Sequence, residues 1–232
     1  MGRVMALRWT DTIRRAALAA TLSSVAVASA IPVTAQTAEG GPAAGARTGD
    51  VLWLPGTSAA GSVVPGATAS LVMVDEGAAA VLATGGLEPG HVVTLWWIIF
   101  NHPEGCEHGA MGLQCGEGDL LLFGGHESVE GSVVYGAGHV VGPDGSGHLA
   151  AHVPTGDASR VVGEGPGLTN PAGAEVHLIV RTHGPIQPGL LIEQLTTPAG
   201  GCEDAPEGMG TPGDYACVEA QFAAFEAAGQ VP

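Results

Sequence analysis

Apolar and polar positions along the chain alternate in short runs of period two, broken every eight to twelve residues by glycine, proline, asparagine or aspartate. This pattern predicts short β-strands joined by tight turns. Residues 51–54, 69–75, 78–84, 91–100, 120–123, 132–141, 148–153 and 175–182 are the predicted strands. The run 91–100 (HVVTLWWIIF) is apolar and β-prone on both faces, which suits a central strand covered on both sides. In the strand beginning at 175, Val176, Leu178 and Val180 share one face, while Glu175, His177, Ile179, Arg181 and, just beyond, His183 share the other. That alternation is expected of an antiparallel strand with one buried face and one solvated face. Asp75-Glu76-Gly77, Gly86-Leu87-Glu88-Pro89-Gly90 and Gly142-Pro143-Asp144-Gly145 read as turns, the last as a hairpin between 132–141 and 148–153.

The C-terminal stretch 217–228 carries two patterns. Val218, Phe222 and Phe225 stand at helical spacing, whereas Val218, Ala220, Phe222 and Ala224 alternate as in a strand. The fold class that follows is all-β, an antiparallel Greek-key sandwich or flattened barrel of about eight short strands.

The beginning of the chain departs from this pattern. Arg3, Arg8, Arg14 and Arg15 precede an Ala/Val/Leu-rich stretch, and small-x-small cleavage sequences end at Ala30 and Ala35. Residues 1–35 therefore read as an export signal. The Sec route is favoured over the twin-arginine route, because Ala16 and Ala17 follow the arginine pair where a bulky apolar side chain is preferred. Residues 36–49 read as a flexible leader and 50–228 as a single β-sandwich domain. No later stretch has the length of apolar sequence needed for a spanning helix.

Setting residues 1–35 aside removes four of the seven arginines and one of the 23 acids, Asp11. This leaves 3 basic against 22 acidic side chains and a formal net charge of −19, with no lysine anywhere. Such a surface repels nucleic acid and anionic lipid and suits a soluble protein in a salty medium.

In an exported chain Cys106, Cys115, Cys202 and Cys217 are expected as disulfides, and spacing favours Cys106 with Cys115 and Cys202 with Cys217. The competing assignment is a zinc site of His102, Cys106, His108 and Cys115, which has suitable ligand types but no paired C-x-x-C.

Several familiar catalytic patterns are excluded. His148-Leu149-Ala150-Ala151-His152 lacks the glutamate of a zinc protease, and no P-loop exists without lysine. Gly145-Ser146-Gly147 is not a nucleophile elbow. The acidic loops permit a carbohydrate-binding or hydrolytic module, but nothing brings a particular carboxylate pair to the spacing that glycoside hydrolysis requires.

Nine histidines remain the main candidate chemistry. His148 and His152 lie roughly 13 Å apart on one strand, so a metal site has to combine neighbouring strands. His139, His148 and His177, with Glu175 beside them, are the candidate ligands, and copper or zinc the candidate ion. His139 and His148 pair only if the 142–145 turn has a two-residue loop. A three-residue loop with a glycine bulge, which the sequence favours, turns them to opposite faces. The leading functional expectation is a secreted, non-enzymatic binding or structural module without a cofactor, facing a cell-envelope or extracellular partner. The metal site is the alternative.

The segments Gly86-Leu87-Glu88-Pro89-Gly90, Thr94 to Asn101 (TLWWIIFN), Gly173 to Leu178 (GAEVHL), Arg181-Thr182-His183-Gly184-Pro185, and Cys217 with Gln221-Phe222 resemble secreted bacterial proteins of unassigned function. A Gly-Leu-x-Pro-Gly turn feeding a long strand is also similar to CHRD domains and copper/zinc superoxide dismutases. The resemblance implies a Greek-key β-fold and a strand at the C-terminal run. It does not imply dismutase chemistry, because the strand after the turn has no His-x-His copper pair.

Overall fold

The computed structural model of the chain describes residues 46–55, 57–197, 200 and 217–227. The expected export signal and Cys202 lie outside the described residues. Among those residues the alternating runs form nine strands: β1 (Arg47–Gly49), β2 (Leu52–Trp53), β3 (Thr68–Val74), β4 (Gly77–Thr84), β5 (His91–Phe100), β6 (Gly131–Val140), β7 (Gly147–Pro154), β8 (Glu175–Pro185) and β9 (Val218–Phe225). They build two antiparallel sheets, ordered β1-β3-β4-β7 and β2-β9-β8-β5-β6. The architecture is a two-sheet sandwich, and the barrel alternative is not realised.

The position of β5 explains its composition. It pairs with β6 on one side and β8 on the other. Val93, Leu95, Trp97 and Ile99 point between the sheets, where they join Leu71, Leu82, Leu149, Val176, Leu178 and Val180 in the main core. Trp96 and Phe100 point the opposite way and belong to two smaller clusters, Phe100 with Cys115, Leu120 and Val129 of the 101–130 segment, and Trp96 with Ile179 and Phe222, against which Leu52, Leu54, Leu113 and Val162 pack. Both faces of β5 are apolar because both are covered. The two tryptophans divide as their alternation predicts.

Four local expectations are corrected. Residues 120–123 are not a strand: Leu121–Phe123 is a 3-10 helix closed by Gly124 at φ 86. Its apolar run has no partner strand, so only Leu120 is buried (2% exposed), while Phe123 is 53% exposed. The last residues of the supposed flexible leader, Arg47–Gly49, pair with the edge of β3, and the Arg47 guanidinium lies 5.7 Å from the centre of the Phe225 ring.

The turn at 142–145 does form, with the Gly145 N–H bonded to the Gly142 carbonyl and Gly145 at φ 77. It crosses from one sheet to the other instead of closing a hairpin. The eight-residue ladder of β7 with β4 and the nine-pair ladder of β6 with β5 claim the two strands separately. The fourth correction is the zinc alternative: Cys106 and Cys115 are disulfide-bonded, with Cα atoms 5.2 Å apart, so neither thiolate is left for a metal.

The C-terminal ambiguity resolves as a strand. β9 sits between β2 and β8, and its Phe222 and Phe225 fall on opposite faces, in separate clusters. Its Gln221 is fully buried and joins the two sheets, accepting from the Thr84 hydroxyl at 2.6 Å and donating to the Gly85 carbonyl at 2.9 Å. A short helix, α1 (Leu191–Thr196), packs against β6 at Gly138, where a Cβ would collide with the Leu195 carbonyl oxygen. No helix among the described residues is long and apolar enough to cross a membrane.

Candidate functional site

Residues 101–130 do not lie flush on the sheet. Between them and the outer face of β9, β8, β5 and β6 is a cavity of about 260 Å³. Its floor is Trp96, Ile98 and Phe100 of β5, Val133 of β6, Ile179 of β8 and Phe222 of β9. Its cover is the loop stapled by Cys106–Cys115, with Met111 and Leu113, and the 3-10 segment carrying Leu122 and Phe123. The floor follows from strand alternation: these are the positions of the sheet that do not face the main core.

One buried polar pair is set into this apolar surface. The Nε2 of His177 stands 2.8 Å from Oε1 of Glu175, and the two side chains are 10% and 1% exposed. The same Glu175 oxygen accepts the backbone N–H of Cys115 at 3.2 Å, which ties the cover to the sheet. Phe100 meets the imidazole edge-on, with ring centres 5.3 Å apart. His177 therefore has a fixed orientation, held by a carboxylate on one side and an aromatic ring on the other. Farther along β8, Arg181 lines the cavity with its Nη1 3.6 Å from Oε1 of Glu219 on β9. This is not the solvated strand face that alternation alone suggests. Glu175 and His177 are buried because a segment about sixty residues earlier in the chain folds over them.

The cover is organised by Asp119, which is 1% exposed. Its carboxylate accepts the backbone N–H groups of Glu107 at 2.8 Å, His108 at 3.1 Å and Gly116 at 3.0 Å, and contacts Nδ1 of His108 at 3.0 Å. Burial alone raises the Asp119 carboxyl. The converging donors outweigh it and hold the group below its ordinary range. Sequence reasoning passed over Asp119. Its one local signal is its place at the end of the Gly116-Glu117-Gly118-Asp119 run, where a carboxylate can bond back to the N–H three residues earlier.

The four expected ligand residues are not brought together. His139 lies opposite Val93, on the inter-sheet side of β5, whereas His177 lies opposite Ile98, on the outer side. Five residues of strand, roughly 16 Å, also separate them. His139 does have His148 as a neighbour: burial, and then the charge of His148, push the His139 imidazole below its ordinary pKa. Glu175 is the partner of His177 alone among the candidates. Among the described residues the one cluster of three groups with metal-ligand spacing is Cys106, Cys115 and Asp119, and its two sulfurs are already bonded to each other.

The cysteine pairing expected from spacing is found for Cys106 and Cys115. Cys217 is buried, with Sγ 3.4 Å from Nδ1 of His183, and its expected partner Cys202 lies outside the described residues. His183 is itself fully buried and bonded to the Thr94 hydroxyl at 2.8 Å, which places it in the sheet's own polar network rather than in the cavity.

The fold and site together define a disulfide-stapled antiparallel sandwich with a half-open apolar cavity on its five-stranded sheet. Comparison with protein-family models, with curated proteins and with solved structures returns no match for this chain.

Proposed function

We propose that this is a secreted, non-enzymatic binding module, and that the cavity over the five-stranded sheet is where it holds a small, largely apolar molecule. One observation carries the reading: a cavity of about 260 Å³ with apolar and aromatic walls and a single buried His177–Glu175 pair. A concave apolar pocket with a few convergent polar groups is the usual form of a small-molecule site. Export is supported by the basic and apolar character of residues 1–35, and the Cys106–Cys115 disulfide is compatible with an oxidising, extracytoplasmic location.

Titrating the protein, purified from an exporting host, with a naphthalene-type fluorescent probe tests the reading. Saturable one-site binding is expected, with a change in tryptophan emission from Trp96 in the cavity floor. Ile179→Trp, which fills the cavity, should abolish it. Equal binding by the filled variant would overturn the proposal.

The alternative reading is a copper or zinc site on His139 and His148, whose proximity shows as the charge of His148 disfavouring protonation of the His139 imidazole. It now rests on two histidines, without His177. Copper or zinc at near one equivalent in elemental analysis, lost in His139→Ala, would favour it over the cavity.

A further inference from the structure

The cavity's polar lining is asymmetric in a way that bears on what it would hold. In the contact between His177 and Glu175, the carboxylate can only accept a hydrogen bond, so Nε2 is the donor. In the neutral ring Nδ1 is then an acceptor. His177 lines the cavity, and its side chain is 10% exposed. An acceptor in an apolar cavity gains most from one ligand donor, because burying it without a partner is costly.

The charges nearby disfavour an anion. Glu117 and Glu219 line the cavity and Glu175 stands behind His177, while Arg181 is the one lining residue of fixed positive charge and already faces Glu219. A cavity of 150 Å³ accommodates benzene. By that scale 260 Å³ accepts about ten non-hydrogen atoms. Trp96, Phe100, Phe123 and Phe222 line it with rings, which suits a flat or aromatic body.

We infer that the site selects a small neutral molecule with an apolar, ring-sized body and one hydroxyl group, of the phenol class, whose O–H donates to Nδ1 of His177. The inference rests on the cavity being a binding site, and it specifies the ligand chemistry for that site.

Three probes separate the two claims: 4-propylphenol, propylbenzene and 4-propylbenzoate, each titrated calorimetrically into the exported protein near neutral pH. The phenol should bind at least tenfold tighter than propylbenzene, since a site built to bond a hydroxyl rejects the analogue lacking it. The benzoate should bind weakest. In a long-range 15N–1H spectrum the Nδ1 signal of His177 should move with the phenol and stay in place with propylbenzene.

Equal binding of phenol and propylbenzene would overturn the hydroxyl inference and leave the cavity reading standing. So would a phenol preference without movement of Nδ1. Tightest binding by the benzoate would also overturn it and pass the selection to Arg181. If none of the three binds, the cavity reading itself falls.

Discussion

Asp119 does for the cover what a β-ladder does for the sheets: it gives otherwise unpaired backbone N–H groups an acceptor. Replacing it by alanine removes the acceptor of the N–H groups of Glu107 and His108, which are part-buried, and of Gly116, which is buried. A loss of about 2–3 kcal/mol is expected by chemical denaturation at pH 7. The pH dependence gives a sharper check. Because the folded protein holds this carboxyl below its unfolded value of about 3.9, its contribution is fully present above that pH and is lost as pH falls through the lower folded value. Asp119→Asn should therefore flatten the acid limb of the stability curve below about pH 4. Parallel acid limbs for the variant and the native protein would assign the hub role elsewhere. At this scale the sequence was only partly informative. Glu175 and His177 could be placed on one face of one strand from alternation alone, but whether that face is wet or buried depends on residues far away in the chain. Asp119 looked like one of 23 acids because its partners are backbone groups, which no side-chain pattern reports.

The cover loop shows how one element is held in place by a few particular bonds. Cys106 and Cys115 are separated by nine residues, and closing a loop of that length is worth about 2.5–3 kcal/mol in the chain-entropy model. The N–H of Cys115 also bonds Glu175, so the staple and the polar pair share a residue. The Cys106→Ser/Cys115→Ser double variant should lose about that much stability and also bind a cavity probe at least several-fold more weakly, because Met111 and Leu113 are no longer held over the floor. Unchanged probe affinity in a folded double variant would show that the loop is not the cover. Elements set by local pattern were legible: β5 spans the predicted residues 91–100 and β8 starts at the predicted Glu175 and runs on to Pro185, whereas the pattern at 217–228 fitted helix and strand alike and the resemblance, not the alternation, pointed to β9. Elements set by pairing at a distance were not. Arg47–Gly49 is too short to announce itself and exists as a strand because β3 offers an edge. The turn at 142–145 has hairpin chemistry, yet its flanking strands belong to different sheets because β4 and β5 each provide a longer partner.

On the scale of the whole molecule, charge and cavity pull in different directions. The chain carries a formal net charge of −16. Of the arginines beyond residue 35, Arg47 bonds the Glu226 carbonyl, Arg160 the His152 carbonyl, and Arg181 faces Glu219. The remaining acids repel one another across the surface, an effect that compact folding concentrates and salt screens. Raising sodium chloride from about 10 mM to about 1 M shortens the screening length from roughly 30 Å to roughly 3 Å, so the melting temperature should climb over that range. Chloride is the suitable salt, since sulfate would also strengthen apolar burial and confuse the two causes. A neutral ligand in an apolar cavity should be nearly indifferent to the same change, apart from the modest salting-out common to all apolar solutes. The two salt responses can therefore be measured on one sample: stability rising with chloride while phenol affinity stays within a few-fold. A flat melting curve would mean that the acidic surface is already neutralised, for instance by tightly held cations. Phenol affinity that tracked salt as steeply as stability would mean that the cavity's charged rim, rather than its apolar floor and His177, decides what enters.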